Sequence, residues 1–286
     1  MTASAGAGAE ARPGEVAPGP DRDLAADARN RAVIVVTQLR GGPGGTTFAL
    51  ALAAVAAEQG PSWLIEADPA GGVLVGRCAS LTGDRSLVDL AFPGPTAPGD
   101  AAGLMTEAAQ RLGHTSVVIA PEQPAQAYEC VARPRFRWPA HLRSLPGRVV
   151  VDCGRLFPGS PSLDVLRHAD VVVVVAPPEG GDVYRFVQWA ADGQHLVEVP
   201  LLVTSGPGRF PARHIAREVG RGVARDVGDA YLGPVPSAPH EVDLLERGAS
   251  TSHRQLYRSE LVRSMLARLQ GIDAAVAAAP RRATTP

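Results

Sequence analysis

Seven short apolar runs constrain this chain more than any other feature. They are Ala32-Val33-Ile34-Val35-Val36, Trp63-Leu64-Ile65, Ser116-Val117-Val118-Ile119, Val149-Val150-Val151, Val171 to Val175, Leu201-Leu202-Val203, and the weaker Tyr231-Leu232-Gly233. β-Branched residues suit strands, and an uninterrupted apolar run, unlike an alternating one, implies burial on both faces. Segments of helical length separate the runs. Phe48 to Glu58 reads as a first, deeply buried helix. Ser259 to Leu269 reads as a closing amphipathic helix, with Leu261, Val262, Met265, Leu266 and Leu269 on one face. The expectation is an α/β fold: a mostly parallel sheet with helices on both faces. In such sheets ligands sit at the carboxyl ends of the strands, near the point where strand order reverses.

The rest of the chain bounds this unit. Residues 1–30 are rich in Ala, Gly, Pro, Asp and Glu without apolar periodicity. Such a segment cannot offset its ordering entropy by burial and is expected to be a disordered arm. Residues 271–286 are expected to be a flexible Ala-rich tail, leaving a domain over 31–270. With 286 residues the chain can bury a sizeable core. Its formal net charge of -1 argues against a global electrostatic fit to nucleic acid. No apolar stretch is long enough to span a membrane, and no basic region precedes an apolar one at the N-terminus. The expectation is a cytoplasmic protein without a transmembrane segment. Cys78, Cys130 and Cys153 are far apart and in no Cys/His cluster, so neither a zinc site nor a disulfide framework is indicated.

All 28 basic residues are arginine, which excludes any mechanism that needs a lysine. That matters at the most informative segment. The first strand runs into Thr37-Gln38-Leu39-Arg40-Gly41-Gly42-Pro43-Gly44-Gly45-Thr46-Thr47 and then into the first helix. Strand, glycine loop and helix N-terminus together form an anion cradle, because the loop amides converge and the helix dipole adds partial positive charge.

Here the chain resembles the ParA/MinD family of P-loop ATPases, whose loop reads K-G-G-x-G-K-T-T. The resemblance continues through Glu66-Ala67-Asp68-Pro69-Ala70-Gly71-Gly72, Val151-Asp152-Cys153-Gly154, Ala169-Asp170-Val171 to Pro177-Pro178-Glu179, Leu232-Gly233-Pro234-Val235-Pro236 and Leu245-Glu246-Arg247-Gly248. It implies a P-loop NTPase fold and a phosphate-binding loop made of Arg40, Gly41, Gly42, Gly44, Gly45, Thr46 and Thr47. Thr46 and Asp152 would serve a magnesium ion, Asp68 would orient an attacking water if the protein is active, and Pro236 would lie on the adenine side. ATP or ADP with magnesium would be the cofactor, held weakly or not at all.

The departures fall on the chemistry. Arg40 takes the place of the family's signature lysine and Gly45 that of the lysine that holds the β- and γ-phosphates. Glu66 replaces an aspartate and lengthens the arm. Pro43 removes one backbone donor. Losing a desolvated cation beside a triphosphate costs a few kcal/mol, or about tens- to thousands-fold in binding. Phosphoryl transfer depends on neutralising charge at the γ-phosphate, so efficient hydrolysis is not expected. The resemblance implies a pseudo-ATPase that positions or scaffolds a partitioning, pilus or secretion apparatus through protein partners, with a homodimer possible. The alternatives are a slow ATPase in which Arg40 replaces the missing lysine, and a non-specific DNA-binding partition protein.

Two basic clusters bear on those alternatives. Arg213, Arg217, Arg221 and Arg225 recur every four residues and would share one helical face, a stripe suited to DNA phosphate. Gly220 and Gly222 interrupt it and Glu218 and Asp226 lie close in sequence, so a solvated face is favoured over DNA binding. Arg133, Arg135, Arg137 and Arg143, interleaved with Phe136 and Trp138, read either as a protein-contact surface or as a loop packed on the domain.

Overall fold

A computed structural model describes residues 31–42, 44–192, 199–223 and 230–279. The expected N-terminal arm lies outside these residues, as do Pro43 and Arg225. Eight strands form one sheet: β1 (Val33–Gln38), β2 (Ser62–Glu66), β3 (Gln110–Leu112), β4 (Thr115–Val118), β5 (Arg148–Arg155), β6 (Val171–Ala176), β7 (Pro200–Ser205) and β8 (Tyr231–Val235). Their order is β3-β4-β2-β5-β1-β6-β7-β8, and every neighbouring pair is parallel except β3 with β4. Each of the seven apolar runs becomes a strand. The edge strand β3 was not legible: it is short, of mixed polarity, and joined to β4 through Gly113 at φ 57.

Alternation inside the strands explains the continuous apolar runs. Ile34 and Val36 of β1, Val150 of β5 and Val171 and Val173 of β6 enter one core. Val33, Val35, Val149, Val151 and Val172 enter the core on the opposite face. With a side-chain period of two, burial of both faces demands an apolar residue at every position. The first core is closed by α1 (Gly45–Ala56) and by the last helix. The second holds residues of α3 (Leu87–Ala91), α4 (Ala101–Ala108) and α5 (Pro124–Ala132), which follow the one-turn helix α2 (Leu74–Arg77). A short α6 (Leu163–Leu166) precedes β6, and α7 (Gly180–Asp192) and α8 (Ala212–Gly222) cover β6 and β7 with a third apolar cluster. α9 (Pro239–Glu246) follows β8.

Two expectations change. The closing helix, α10 (Glu260–Ala278), continues well past Leu269, with Ile272 and Ala275 buried in the core, so residues 271–278 belong to the fold instead of a tail. The alanines hid this because small side chains carry little apolar periodicity. An ion pair of 2.9 Å between the buried Arg148 of β5 and Asp273 further ties α10 to the sheet. Trp138 is not an interface anchor: it is fully buried, and its Nε1 donates to the Cys130 carbonyl at 3.0 Å. Around it, Arg133 meets Glu129, Arg137 meets Asp164 and Arg143 meets Asp170, so the second basic cluster is a loop packed on the domain.

Candidate functional site

The glycine loop leaves the carboxyl end of β1, between β5 and β6, where the strand order reverses. Gly44 precedes α1 at φ 111, a conformation that favours glycine, and a Cβ there would also press on the Ser205 hydroxyl. The first backbone bond of α1 runs from Phe48 N to the Gly44 carbonyl at 2.8 Å. The amides of Gly45, Thr46 and Thr47 therefore have no acceptor within the helix and form a site suited to an anion.

The group that fills the space beside Gly45 is neutral. Gln38 folds back so that its Nε2 donates to the Gly42 carbonyl at 2.7 Å. Its amide group would lie 3.0 Å from a Cβ on Gly45, so it fills the space into which a side chain at position 45 would grow. Arg40 is directed elsewhere. Its side chain is 67% exposed, and Nη1 approaches the Asp182 carboxylate of α7 only to 4.0 Å. Gly41 is exposed, and Gly42 is half-buried beside Pro177.

Beside the loop, the ends of β2 and β5 bring three carboxyl groups together. Glu66, the last residue of β2, and Asp152, within β5, are register partners, and both are buried. Asp152 Oδ1 accepts from Gly154 N at 3.1 Å, whereas its buried Oδ2 has no hydrogen-bond partner among the described residues. Burial pushes the Asp152 carboxyl up, and the Thr46 hydroxyl and the Gly154 amide partly offset it. Thr46 and Asp152, named separately from the sequence, are thus brought together. Asp68 is half-buried, its Oδ1 accepts from Ala70 N at 2.8 Å, and burial raises its carboxyl against the opposing charge of Arg155.

Asp68 also lies against Gly154, at φ 59, where a Cβ would run into its carboxylate. Between Val36 and Gln38 the β1–β5 register shifts because β5 carries one extra residue, and this irregularity sets Gly154 there. Glu66 is locked in place. Its Oε1 accepts from Val73 N at 2.7 Å and Leu74 N at 3.1 Å, and its Oε2 from Ala120 N at 3.1 Å. The longer arm that distinguishes it from aspartate lets it reach both the start of α2 and the end of β4. Burial raises its carboxyl to about 7, outweighing the three amides, and nearby Asp152 adds to the rise.

Arg77, at the end of α2, carried no sequence signal. Its Nη2 donates to Thr47 Oγ1 at 3.0 Å, and its Nε donates to Glu246 Oε1 of α9 at 2.8 Å. Arg77 also lowers the Asp152 carboxyl, so its field reaches the residues for which the resemblance implies magnesium. The signal was unreadable because α2 is separated from the loop by a whole strand and helix. Pro236 is half-buried just past the end of β8.

The arginine stripe is a separate surface. Arg213, Arg217 and Arg221 are exposed on α8, whose only buried side chains are Ile215 and Val219. Glu218 pairs with both Arg217 and Arg221, at 3.6 and 3.0 Å. No group of three or more His, Cys, Asp or Glu side chains among the described residues could hold a metal ion by itself. No helix among them is long and apolar enough to cross a membrane.

No protein-family model and no curated protein sequence matches this chain. Solved structures do match its fold. A ParA family ATPase from Chlorobium tepidum is 15% identical with a TM-score of 0.62, over 85% of this chain and 98% of that one. The septum site-determining protein MinD from Pyrococcus horikoshii, complexed with Mg-ADP, is 14% identical with a TM-score of 0.66, over 85% and 96%. MinD from Aquifex aeolicus, in a MinC:MinD cell division complex, is 15% identical with a TM-score of 0.56, over 84% and 95%. The chain therefore has the ParA/MinD P-loop fold that its loop and strand-end motifs imply.

Proposed function

We propose that this protein is a ParA/MinD-like positioning or scaffolding factor whose loop holds magnesium nucleotide weakly and does not hydrolyse it efficiently. One observation carries this reading. Where the loop needs a cation, Gly45 offers none, and the neutral amide of Gln38 spans the gap to Gly42. The remaining parts suit a nucleotide. The free amides of Gly45, Thr46 and Thr47 fit phosphate oxygens. The Thr46 hydroxyl and the orphaned Asp152 Oδ2 fit a hydrated magnesium ion, which supplies charge neutralisation when bound. In this reading Asp68, whose Oδ1 accepts from Ala70 N, would orient a water, and Pro236 would flank the base.

Loss of one desolvated cation costs a few kcal/mol, enough to leave binding weak and turnover negligible. The Arg40 alternative has less support, since that side chain lies in solvent toward Asp182. The DNA alternative has less support because Glu218 neutralises part of the stripe. Work in the cytoplasm through a protein partner, as in a partitioning, pilus or secretion apparatus, fits a fold shared with MinD, a protein solved in complex with MinC. A homodimer is compatible with the same reading.

Steady-state ATP hydrolysis by the wild type, Thr46→Ala and Asp68→Ala proteins tests the reading. No turnover by any of the three is expected. Turnover by the wild type that both substitutions abolish would make it a genuine ATPase.

A further inference from the structure

The loop is short of charge, yet a cation stands one hydrogen bond away from it. Arg77 Nη2 reaches Thr47 Oγ1, on the turn of α1 whose amides have no acceptor within the helix. Arg77 is only 28% exposed, so less water screens it than screens Arg40. A second feature points to a ligand here: Asp152 is 1% exposed and lies next to Thr46, and its buried Oδ2 has no geometric hydrogen-bond partner among the described residues. What restrains Arg77 is Glu246. Its Oε1 accepts from both Nε and Nη2 of the guanidinium, at 2.8 and 2.5 Å.

Two other surfaces carry less. The shallow apolar groove between α7 and α8, about 190 Å³ beside Tyr184 and Phe210, has nothing in the structure to say what covers it. The polar cavity of about 310 Å³ beside Asp84, Asp89 and Glu122 is an acidic cluster without a second mark of a ligand.

We propose that Arg77 is the phosphate-binding cation of this loop, replacing the side chain that position 45 lacks, and that Glu246 is its competing counterion. This rests on the reading of the loop as a nucleotide site and adds its regulation. A polyphosphate arriving at Gly45, Thr46 and Thr47 competes with Glu246 for the guanidinium, whose planar set of donors can serve two anions in turn. Glu246 closes α9, the helix that follows the Pro236 segment. A movement of α9 that withdraws Glu246 would therefore free the cation, and a partner that seats α9 more firmly would keep the loop silent. The ligand class is a magnesium nucleoside polyphosphate, for which inorganic tripolyphosphate serves as the base-free probe.

Calorimetric titration with Mg-ADP and with magnesium tripolyphosphate tests this on five forms of the full chain. These are the wild type, Glu246→Gln, Arg77→Met, the double variant Arg77→Met/Glu246→Gln, and a restored loop, Gln38→Ala/Gly45→Lys. The double variant removes both charges together, so no unpaired ion destabilises it, and its melting curve verifies the fold. We expect Glu246→Gln to tighten both ligands at least ten-fold, and the double variant to lose that gain entirely. Binding that neither Arg77→Met nor Glu246→Gln alters overturns the role of Arg77 and leaves the nucleotide site standing. Binding by the restored loop alone has the same meaning. Absence of binding in all five forms overturns both the role and the site.

Discussion

The strand-end carboxylate cluster and the arginine face of α8 are built differently. Over β2, β5 and β1 the polar groups are buried and held by many contacts. Glu66 takes three backbone amides, Asp68 lies against a left-handed glycine, and Asp152 sits beside Thr46. On α8, which follows β7, the charged groups are long, exposed arginines that share Glu218. Burying unbalanced carboxyl groups is costly, and a fold keeps them only where the surroundings over-determine them. The first region is therefore the one suited to a ligand, and the second is a solvated face. Motif spacing alone ranks them less clearly, because an arginine every fourth residue is conspicuous and a lone Arg77 is not.

The contrast can be broken most forcefully at Gly154. A Cβ at φ 59 would be strained and would also meet the Asp68 carboxylate, so Gly154→Ala should cost about 2–4 kcal/mol in denaturant unfolding. A loss under 0.5 kcal/mol would mean that the carboxylate cluster is loose.

A somewhat smaller effect is expected from pH. The Glu66 carboxyl is raised from 4.5 to about 7 in the folded chain, so the native state keeps a proton that the unfolded chain has released. Stability is then full below about pH 4.5 and falls as pH rises toward 7, by about 3 kcal/mol at most. Asp68 and Asp152 shift in the same direction. Glu66→Gln should flatten the profile of unfolding free energy between these limits, and an unchanged slope would remove Glu66 as its source.

Asp152→Asn sharpens the comparison further. It removes a buried like charge, so it should raise the midpoint of denaturation in the absence of ligand while abolishing any magnesium-dependent stabilisation. A lower midpoint would mean that the carboxylate is needed by the fold itself. The smallest effect belongs to the arginine stripe. Arg217→Glu/Arg221→Glu should change stability by less than about 0.5 kcal/mol, as is usual for exposed sites. It should also leave no salt-dependent DNA binding to lose. A steep fall of wild-type DNA binding with salt, absent from the variant, would promote the stripe to a working surface.

Much of this was legible in the residues. Continuous Val and Ile runs announced a sheet buried on both faces, and the strand-to-glycine-to-helix passage located the cradle. The spacing of Thr46 and Asp152 along the chain said nothing of their meeting, and the family resemblance supplied it. The parts that stayed hidden are those fixed by tertiary approach. β3 pairs only because β4 is there to receive it. The last turns of α10 carry alanines that bury without a periodic signature. Arg77 and Gln38 act through contacts with residues far away in sequence or folded back over the loop, and no local pattern marks either.

If the cradle survives without a cation at position 45, thermal unfolding with and without Mg-ADP will show it. The wild type is to be compared with the restored loop, Gln38→Ala/Gly45→Lys. A ligand at a hundred times its dissociation constant adds about 2.7 kcal/mol, which for a domain of this size is roughly 5–10 °C. Such a rise is expected for the restored loop, and a much smaller one for the wild type at the same ligand concentration. Equal rises in both would contradict it, since the loop would then need no cation at position 45.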